Sequence, residues 1–461
     1  MKKIKTIVFI FLFASLHAQD SLNVSVLFHW SVDTMPSSYY HDNTYNEIWG
    51  YAKNGREYAI IGSTMGTHIF DITNPSTAYQ AVFIPGRVQG NQIVHRDFHD
   101  YQDYLYIVAD EGSSSLQIAD LRYLPDSAPV VYDSDTLIMR SHNIFIDSAN
   151  ARLYTCGGIV RGSGNQFSVI SLQNPTAPYL LQNCYIDIPW WINTIGYVHD
   201  TYVKNNIAFL NAETRGFFIV DFSDLNNVQI IGSYTNYVQQ GYNHSGWLHE
   251  SDTIYAFADE THGTDIKVVN VADYQNIELI DTIGSNVDPN SIVHNLIFRG
   301  DFLFVSHYFD GLYIFNMENP DNIFISGYYD TSTRPHQNGK YEGAWGVYPL
   351  LPSGRVLVSD MQTGLWVFDV SNAVTSTTQQ AVSKELIVFP NPASNFIHVS
   401  NPEIKNQPYT LIDIQGKKIK SGIFANGYNV IDVSGIPSGV YFLKTSNQSG
   451  VHFIKKIIIS K

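Results

Sequence analysis

LFVSHYFDGLYIFNMENP, residues 303–320, is two short apolar runs about an Asp-Gly turn, closed by an Asn-Pro corner. Aromatic and β-branched runs broken by Asp-Gly read as paired antiparallel strands. The layout recurs as YAIIGSTMGTHIFDITNP from Tyr58, LYIVADEGSSSLQIADL from Leu105, LYTCGGIVRGSGNQFSVISLQNP from Leu153, IAFLNAETRGFFIVDFSD from Ile207, IYAFADETHGTDIKVVNV from Ile254 and VLVSDMQTGLWVFDVS from Val356. Aligned on Ala59, Tyr106, Tyr154, Ala208, Tyr255, Leu303 and Leu357, the copies lie 47 to 54 residues apart. A period near ~50 residues implies one four-stranded sheet per copy, the blade of a β-propeller.

In each blade the strand before the motif is innermost, and the apolar run after it, such as AYQAVFI or NIFISGYY, is outermost. The seventh copy has no outer run, because NAVTSTTQQAVSKE follows it; LNVSVLFHW, residues 22–30, has no blade of its own. The expected body is therefore an all-β, seven-bladed propeller over 19–371, its last blade completed by this N-terminal strand, so that no sheet edge is left open. Most motifs end in a short acid or amide at one register: Asp71, Asp120, Asp221, Asn270, Asn316 and Asp369, with Ser171 as the exception. Such side chains cap backbone N–H groups in the following turn, and no chemistry is expected of them.

The innermost strands open with HRDF at His95, HNIF at His142, HDTY at His199, HSGW at His244 and HNLI at His294; NEIW at Asn46 and EGAW at Glu342 stand at the same place in the first and seventh blades. One imidazole per blade at one register surrounds one mouth of the central channel. The second strands end at the same mouth with Asp110, Glu111, Glu213, Asp259, Glu260, His307 and Asp360. Imidazoles and carboxylates converging in a concave site suit a divalent metal, with the five histidines as ligands, and suit acid/base chemistry at Glu213, Glu260 or Glu342. Against this, each histidine can equally tie neighbouring blades together by donating to a backbone carbonyl or a carboxylate. His99, His249 and His262 fall outside the register and are expected at the surface or within strands. Gly157 to Asn165 is Gly-rich but joins two strands, so it reads as a hairpin rather than a phosphate cradle.

Composition narrows the partners. The 461 residues carry a formal net charge of −15 and 14% aromatics, which excludes nucleic acid and anionic membrane surfaces and favours cations or neutral glycans. Lys2, Lys3 and Lys5 precede an apolar run from Ile7 to Phe13 and a small-residue end at Ala18, the layout of a signal peptide over 1–18. No other stretch is long and apolar enough to span a bilayer. Cys156 and Cys184 read as lying on strands two apart in one sheet, too far for a disulfide.

SHNIFID at Ser141, YNHSGWLHESD at Tyr242, VHNLIFRGDFLFVSHYFDGLYIFN at Val293 and YEGAWGVYPLLPSGRVLVSDMQTGLWVFDV at Tyr341 resemble the choice-of-anchor B family of exported proteins with LVIVD-type propeller repeats. That resemblance implies fold and location but no activity. LIVFPNPASNFIHV from Leu386, YTLIDIQGKKIKSG from Tyr409 and VIDVSGIPSGVYFLKTSNQSGVHFIKKIIISK from Val430 resemble the type IX secretion sorting domain of the Bacteroidetes. Alternating apolar runs between NP, QG, NG and SG turns give it a small Ig-like β-sandwich over 386–461, joined by a linker over 372–385. The resemblance implies the type IX machinery as partner and a secreted or surface-attached destination. With no GxSxG, HExxH, P-loop or EF-hand, the expected function is a surface binding scaffold for a glycan or protein, with a metal-dependent hydrolase or lyase as the alternative.

Overall fold

The computed structural model describes residues 21–332, 334–375, 386–389, 391–400, 406–424, 428–446 and 452–461. The expected signal peptide and residues 376–385 of the expected linker lie outside them. The chain divides near residue 376 into two compact units.

The larger unit is all-β. Its described residues form seven antiparallel sheets whose inner strands are Tyr45–Lys53, Arg96–Tyr101, Asn143–Asp147, Asp200–Lys204, Asn243–Leu248, Val293–Arg299 and Ala344–Tyr348. Each inner strand packs beside those of the two neighbouring sheets, the seventh lying beside the first. Four sheets are built from four consecutive strands. The third gains Ile138–Arg140 on its second strand and is followed by two short helices, Cys184–Asp187 and Trp191–Thr194. In the seventh, the outer strand is Ser25–Trp30, paired with Gly364–Asp369 from Ser25 opposite Asp369 to Trp30 opposite Leu365. The preceding Ser21–Leu22 pairs instead with Phe324–Tyr329 on the sixth sheet, so the expected single N-terminal strand is shared between two sheets.

The cores lie between successive sheets. Tyr106, Val108, Leu116 and Ile118 of the second meet Ile144, Ile146, Leu153 and Ile170 of the third. Ile48, Ala59, Ile61 and Phe70 of the first meet Leu357, Leu365 and Val367 of the seventh. Each such aliphatic side chain contributes about 1.5–3 kcal/mol of burial. This explains the near-continuous apolar runs of the second and third strands, which face a neighbouring sheet on both sides.

All seven turn positions behave alike. Asp71, Asp120, Ser171, Asp221, Asn270, Asn316 and Asp369 each accept the backbone N–H two residues on, at 2.7 to 3.3 Å. The Gly-rich segment of the third sheet is a hairpin, with Val160 opposite Ser163. Its two corner residues, Arg161 and Gly162, have φ of 48° and 80°, the left-handed pair that a tight hairpin of this twist requires. Cys156 and Cys184 are buried free thiols. Cys156 sits in a strand and Cys184 opens a short helix, so the expected placement of both on strands of one sheet holds only for Cys156.

The smaller unit pairs two antiparallel sheets. One orders Ile387–Phe389, Phe396–Ser400 and Tyr428–Asp432; the other orders Lys418–Phe424, Gln407–Asp413, Gly439–Ser446 and His452–Ile459. Leu386, Val388, Ile397 and Ile431 from the first share one core with Leu411, Phe424, Leu443 and Ile457 from the second, which makes the unit a β-sandwich. Among the described residues, no helix is long and apolar enough to cross a membrane.

Candidate functional site

The five register histidines converge. Ring centroids are 4.7 Å apart for His95 and His142, 4.2 Å for His142 and His199, 4.1 Å for His199 and His244, and 4.6 Å for His244 and His294. Trp345 closes the series, 4.2 Å from His294 and 5.0 Å from His95. The place expected of Glu342 thus belongs to a residue three positions later. Ala344 pairs with Asp360 as Val293 pairs with His307 in the sixth sheet, so Trp345 stands at the register of His294, with Tyr348 as the large apolar residue three places on, and Glu342 instead faces the Arg334 guanidinium at 3.1 Å. Asn46 of the first sheet is short, fully buried and bonded to the Val94 carbonyl at 2.9 Å.

Hydrogen bonds fix the imidazoles. Nδ1 of His95 meets Glu111 Oε1 at 2.7 Å, Nδ1 of His142 meets Asp110 Oδ2 at 2.9 Å, Nδ1 of His199 meets the His244 carbonyl at 3.3 Å, and Nδ1 of His294 meets the Trp345 carbonyl at 2.7 Å. Carbonyl and carboxylate oxygens only accept, so in these four rings Nδ1 carries the proton and, in a neutral ring, Nε2 keeps its lone pair. The contacts of His142, His199 and His294 reach the adjacent sheet and so knit sheets together. The same contact is how a metal-binding histidine is oriented. His244 follows the pattern only loosely: it points to the His294 carbonyl but its Nδ1 makes no short hydrogen bond.

Electrostatics splits the series in two. Burial lowers the pKa of His199, His244 and His294 well below the usual value, reinforced by neighbouring imidazoles. Burial also opposes the charge on His142, yet the Asp110 contact outweighs it and raises this pKa. Asp110 is correspondingly lowered, its His142 partner overcoming burial. Burial pushes Glu260 up to about 7, against the Tyr308 hydroxyl that it accepts and the charge of His142. Two groups of donors result, His95, Asp110 and His142, and His199, His244 and Glu260, each with its ligand atoms within 4.8 Å of one another.

The remaining mouth residues are engaged elsewhere. Glu213 accepts the Tyr242 hydroxyl at 2.8 Å, and the Tyr242 ring stands edge-on to His199 at 5.3 Å. Asp259 does not face a ligand, because it forms an ion pair with Lys267 at 2.6 Å, both side chains being fully buried. Asp360 accepts the N–H groups of Gln362 and Thr363 and the Thr331 hydroxyl, a turn device. His307 is buried against Tyr313, 3.9 Å from Asp310. His249 rests on Phe298 and His262 lies near Tyr341.

Beyond the histidines, the inner strands of all seven sheets line a partly open pocket bordered by Glu47, Asp97, Asp200, Asn143, Asn295 and an aromatic group of Trp49, His99, Phe145 and Trp247. His99 lies between Trp49 at 4.5 Å and Phe145 at 5.2 Å, so it belongs to a channel wall rather than to the surface. Burial lifts Glu47 and Asp200 to about 7 and Asp97 well above its usual value. Glu47 accepts the Asn295 amide at 2.9 Å, and Asp97 the Ile144 N–H at 2.6 Å. Sequence reasoning passed over these carboxyls. Their signal is period two along the inner strands: Glu47 and Trp49, Asp97 and His99, Asn143 and Phe145, Ser245 and Trp247, a polar residue then an aromatic on one face.

Residues 387–460 match the family described as the secretion system C-terminal sorting domain. Among solved structures, the β-propeller domain of Cps50 (Swd1) from Myceliophteria thermophila aligns at TM-score 0.50 and 12% identity, over 75% of this chain and 99% of that one. PorZ of Porphyromonas gingivalis, whose description names it an essential bacterial surface component of the type-IX secretion system, aligns at TM-score 0.43 and 12% identity over 94% of this chain and 61% of its own. The extracellular domain of the putative one component system BT4673 of B. thetaiotaomicron aligns at 0.44 and 15% over 91% of this chain, which spans 57% of that one. No curated protein matches. The chain is thus a secreted or outer-membrane surface-attached protein, an all-β propeller-type body carrying a type IX sorting domain.

Proposed function

We propose that the body is a seven-bladed propeller, closed by Ser25–Trp30, that acts as a surface scaffold and binds a small glycan in its central channel. The closure rests on the pairing of that strand with Gly364–Asp369 and on the contact between the first and seventh inner strands. The lining of the channel carries the functional reading: indole and phenyl faces beside carboxyls and amides offer stacking for the apolar face of a sugar and hydrogen bonds for its hydroxyls. Burial raises the pKa of Glu47 to about 7 and that of Asp97 well above its usual value, so protonated carboxyls give the wall donors as well as acceptors, as a neutral polyol needs. The sorting domain delivers this scaffold through the type IX machinery.

A glycan array probed with the processed protein tests the reading. Expected are hits whose affinity falls about tenfold or more on Trp49→Ala or Trp247→Ala, which remove stacking area. A blank array, or hits untouched by either substitution, refutes it. A metal-dependent hydrolase or lyase is the second reading, favoured by the two His and carboxylate groups; it requires turnover that a chelator abolishes and Glu260→Gln impairs.

A further inference from the structure

We propose that His199, His244 and Glu260 form a binding site for one divalent transition-metal ion of the zinc class, at the histidine-ringed end of the channel and separate from the residues assigned to the glycan. Three features of the side chains converge on it.

The donors are the right kind and nearly in place. His199 presents Nε2 as a lone pair, because its Nδ1 faces the His244 carbonyl. His244 Nε2 lies 3.8 Å from Glu260 Oε2, and all three ligand atoms lie within 4.8 Å of one another. Donors around a tetrahedral ion at about 2.1 Å stand about 3.4 Å apart, so the site closes by small side-chain rotations.

His244 is only weakly held. Its side chain is 3% exposed, and its Nδ1 makes no short hydrogen bond, because the His294 carbonyl towards which it points already accepts the Ser245 hydroxyl at 2.6 Å. A buried imidazole satisfied so poorly gains from coordination by an ion.

Charge distinguishes this group from its neighbour. In the group of His95, Asp110 and His142, the Asp110 carboxylate already pairs with His142 Nδ1 at 2.9 Å, so its charge is compensated. Glu260 makes no such close pair: its nearest imidazole nitrogen, His244 Nε2, stands 3.8 Å from Oε2, and its other oxygen is held by the Tyr308 hydroxyl, an orienting contact of the sort that metal-binding carboxylates use. Two imidazoles and a carboxylate are donors of the borderline softness that suits zinc over calcium or magnesium, and three protein ligands leave a tetrahedral ion one open position.

The test is calorimetric titration of zinc sulfate into chelator-stripped full-length protein, with cobalt(II) absorption as a second readout of the donor set. Expected are one zinc per chain, a tetrahedral cobalt spectrum and no heat with calcium. His244→Ala abolishes the site, and Tyr308→Phe, which preserves shape, weakens zinc by about 10- to 100-fold. His249→Ala, a histidine packed on Phe298, leaves the affinity unchanged. No zinc heat, or zinc heat that survives both His244→Ala and Tyr308→Phe, overturns the proposal. Neither outcome touches the glycan reading, which is scored on Trp49 and Trp247.

Discussion

Replacing Asp259 by Asn strips Lys267 of its counter-ion, and the cost can be worked from the local geometry. The Lys267 ammonium lies 2.6 Å from Asp259 Oδ2, with neither side chain exposed. Tyr237 donates to the other carboxylate oxygen at 2.8 Å, and the Gln239 carbonyl accepts from Lys267 at 3.0 Å. The Asn amide keeps the Tyr237 bond but leaves a buried ammonium unpaired. Breaking one side of a buried pair costs about 3–5 kcal/mol. For a body of roughly 350 residues, an unfolding entropy of about 2.1 cal/mol/K per residue makes each kcal/mol worth about 1.4 °C, so Tm falls by about 4–7 °C. The double substitution Asp259→Asn with Lys267→Met removes both charges and recovers most of that loss, since a neutral pair of similar volume carries no uncompensated charge. Scanning calorimetry of the wild type, both single variants and the double variant completes the cycle. If Asp259→Asn shifts Tm by less than about 1 °C, or the double variant is as unstable as the single one, the carboxylate is not a structural counter-ion and the expectation that it serves a ligand returns.

Other consequences are equally direct. Glu47 is held at about 7 by burial, so between the ordinary glutamate value of about 4.3 and pH 7 the folded protein keeps a proton that the unfolded chain has released; stability from this group is full at low pH and declines as pH rises to about 7. Glu47→Gln flattens that decline in urea melts at pH 5 and 7.5, and an unchanged slope removes Glu47 as its source. Both thiols are fully buried and their pKa values are raised by burial; a thiol reagent therefore labels Cys156 and Cys184 only in denaturant, whereas rapid native labelling contradicts their packing. At Gly343, φ is 103° and a Cβ would lie 1.9 Å from the Tyr308 carbonyl oxygen, while at Gly55 a Cβ meets nothing within 4 Å. Gly343→Ala is expected to cost at least about 2 kcal/mol more than Gly55→Ala in denaturant midpoints, and equal costs argue against the close approach.

What the sequence discloses follows from how local each feature is. The repeated hairpins and their seven capped turns are written within a few residues, so strand order, turn chemistry and the β-sandwich tail could be read directly. The histidine series was legible because one register repeats in five sheets. It failed at Glu342 because the seventh inner strand carries two large aromatics, Trp345 and Tyr348, and only the pairing of Ala344 with Asp360 shows that Tyr348 is the one to count back from. Asp259, Asp360 and His307 share a strand end with Glu260, but whether a carboxylate there faces a ligand or a lysine depends on a partner such as Lys267, on the next strand. The channel carboxyls were hidden for the opposite reason. Alternation of polar and aromatic residues is legible, but only the packing of inner strands from successive sheets beside one another brings those residues to one pocket.

The strand Ser25–Trp30 finds its partner some 340 residues further on, which makes the seventh sheet the most non-local element of the molecule. Loop closure grows only logarithmically with length, yet such contacts slow folding markedly. A chain cut short before Gly364–Asp369 leaves Ser25–Trp30 with an unpaired edge, open to proteases and to other chains.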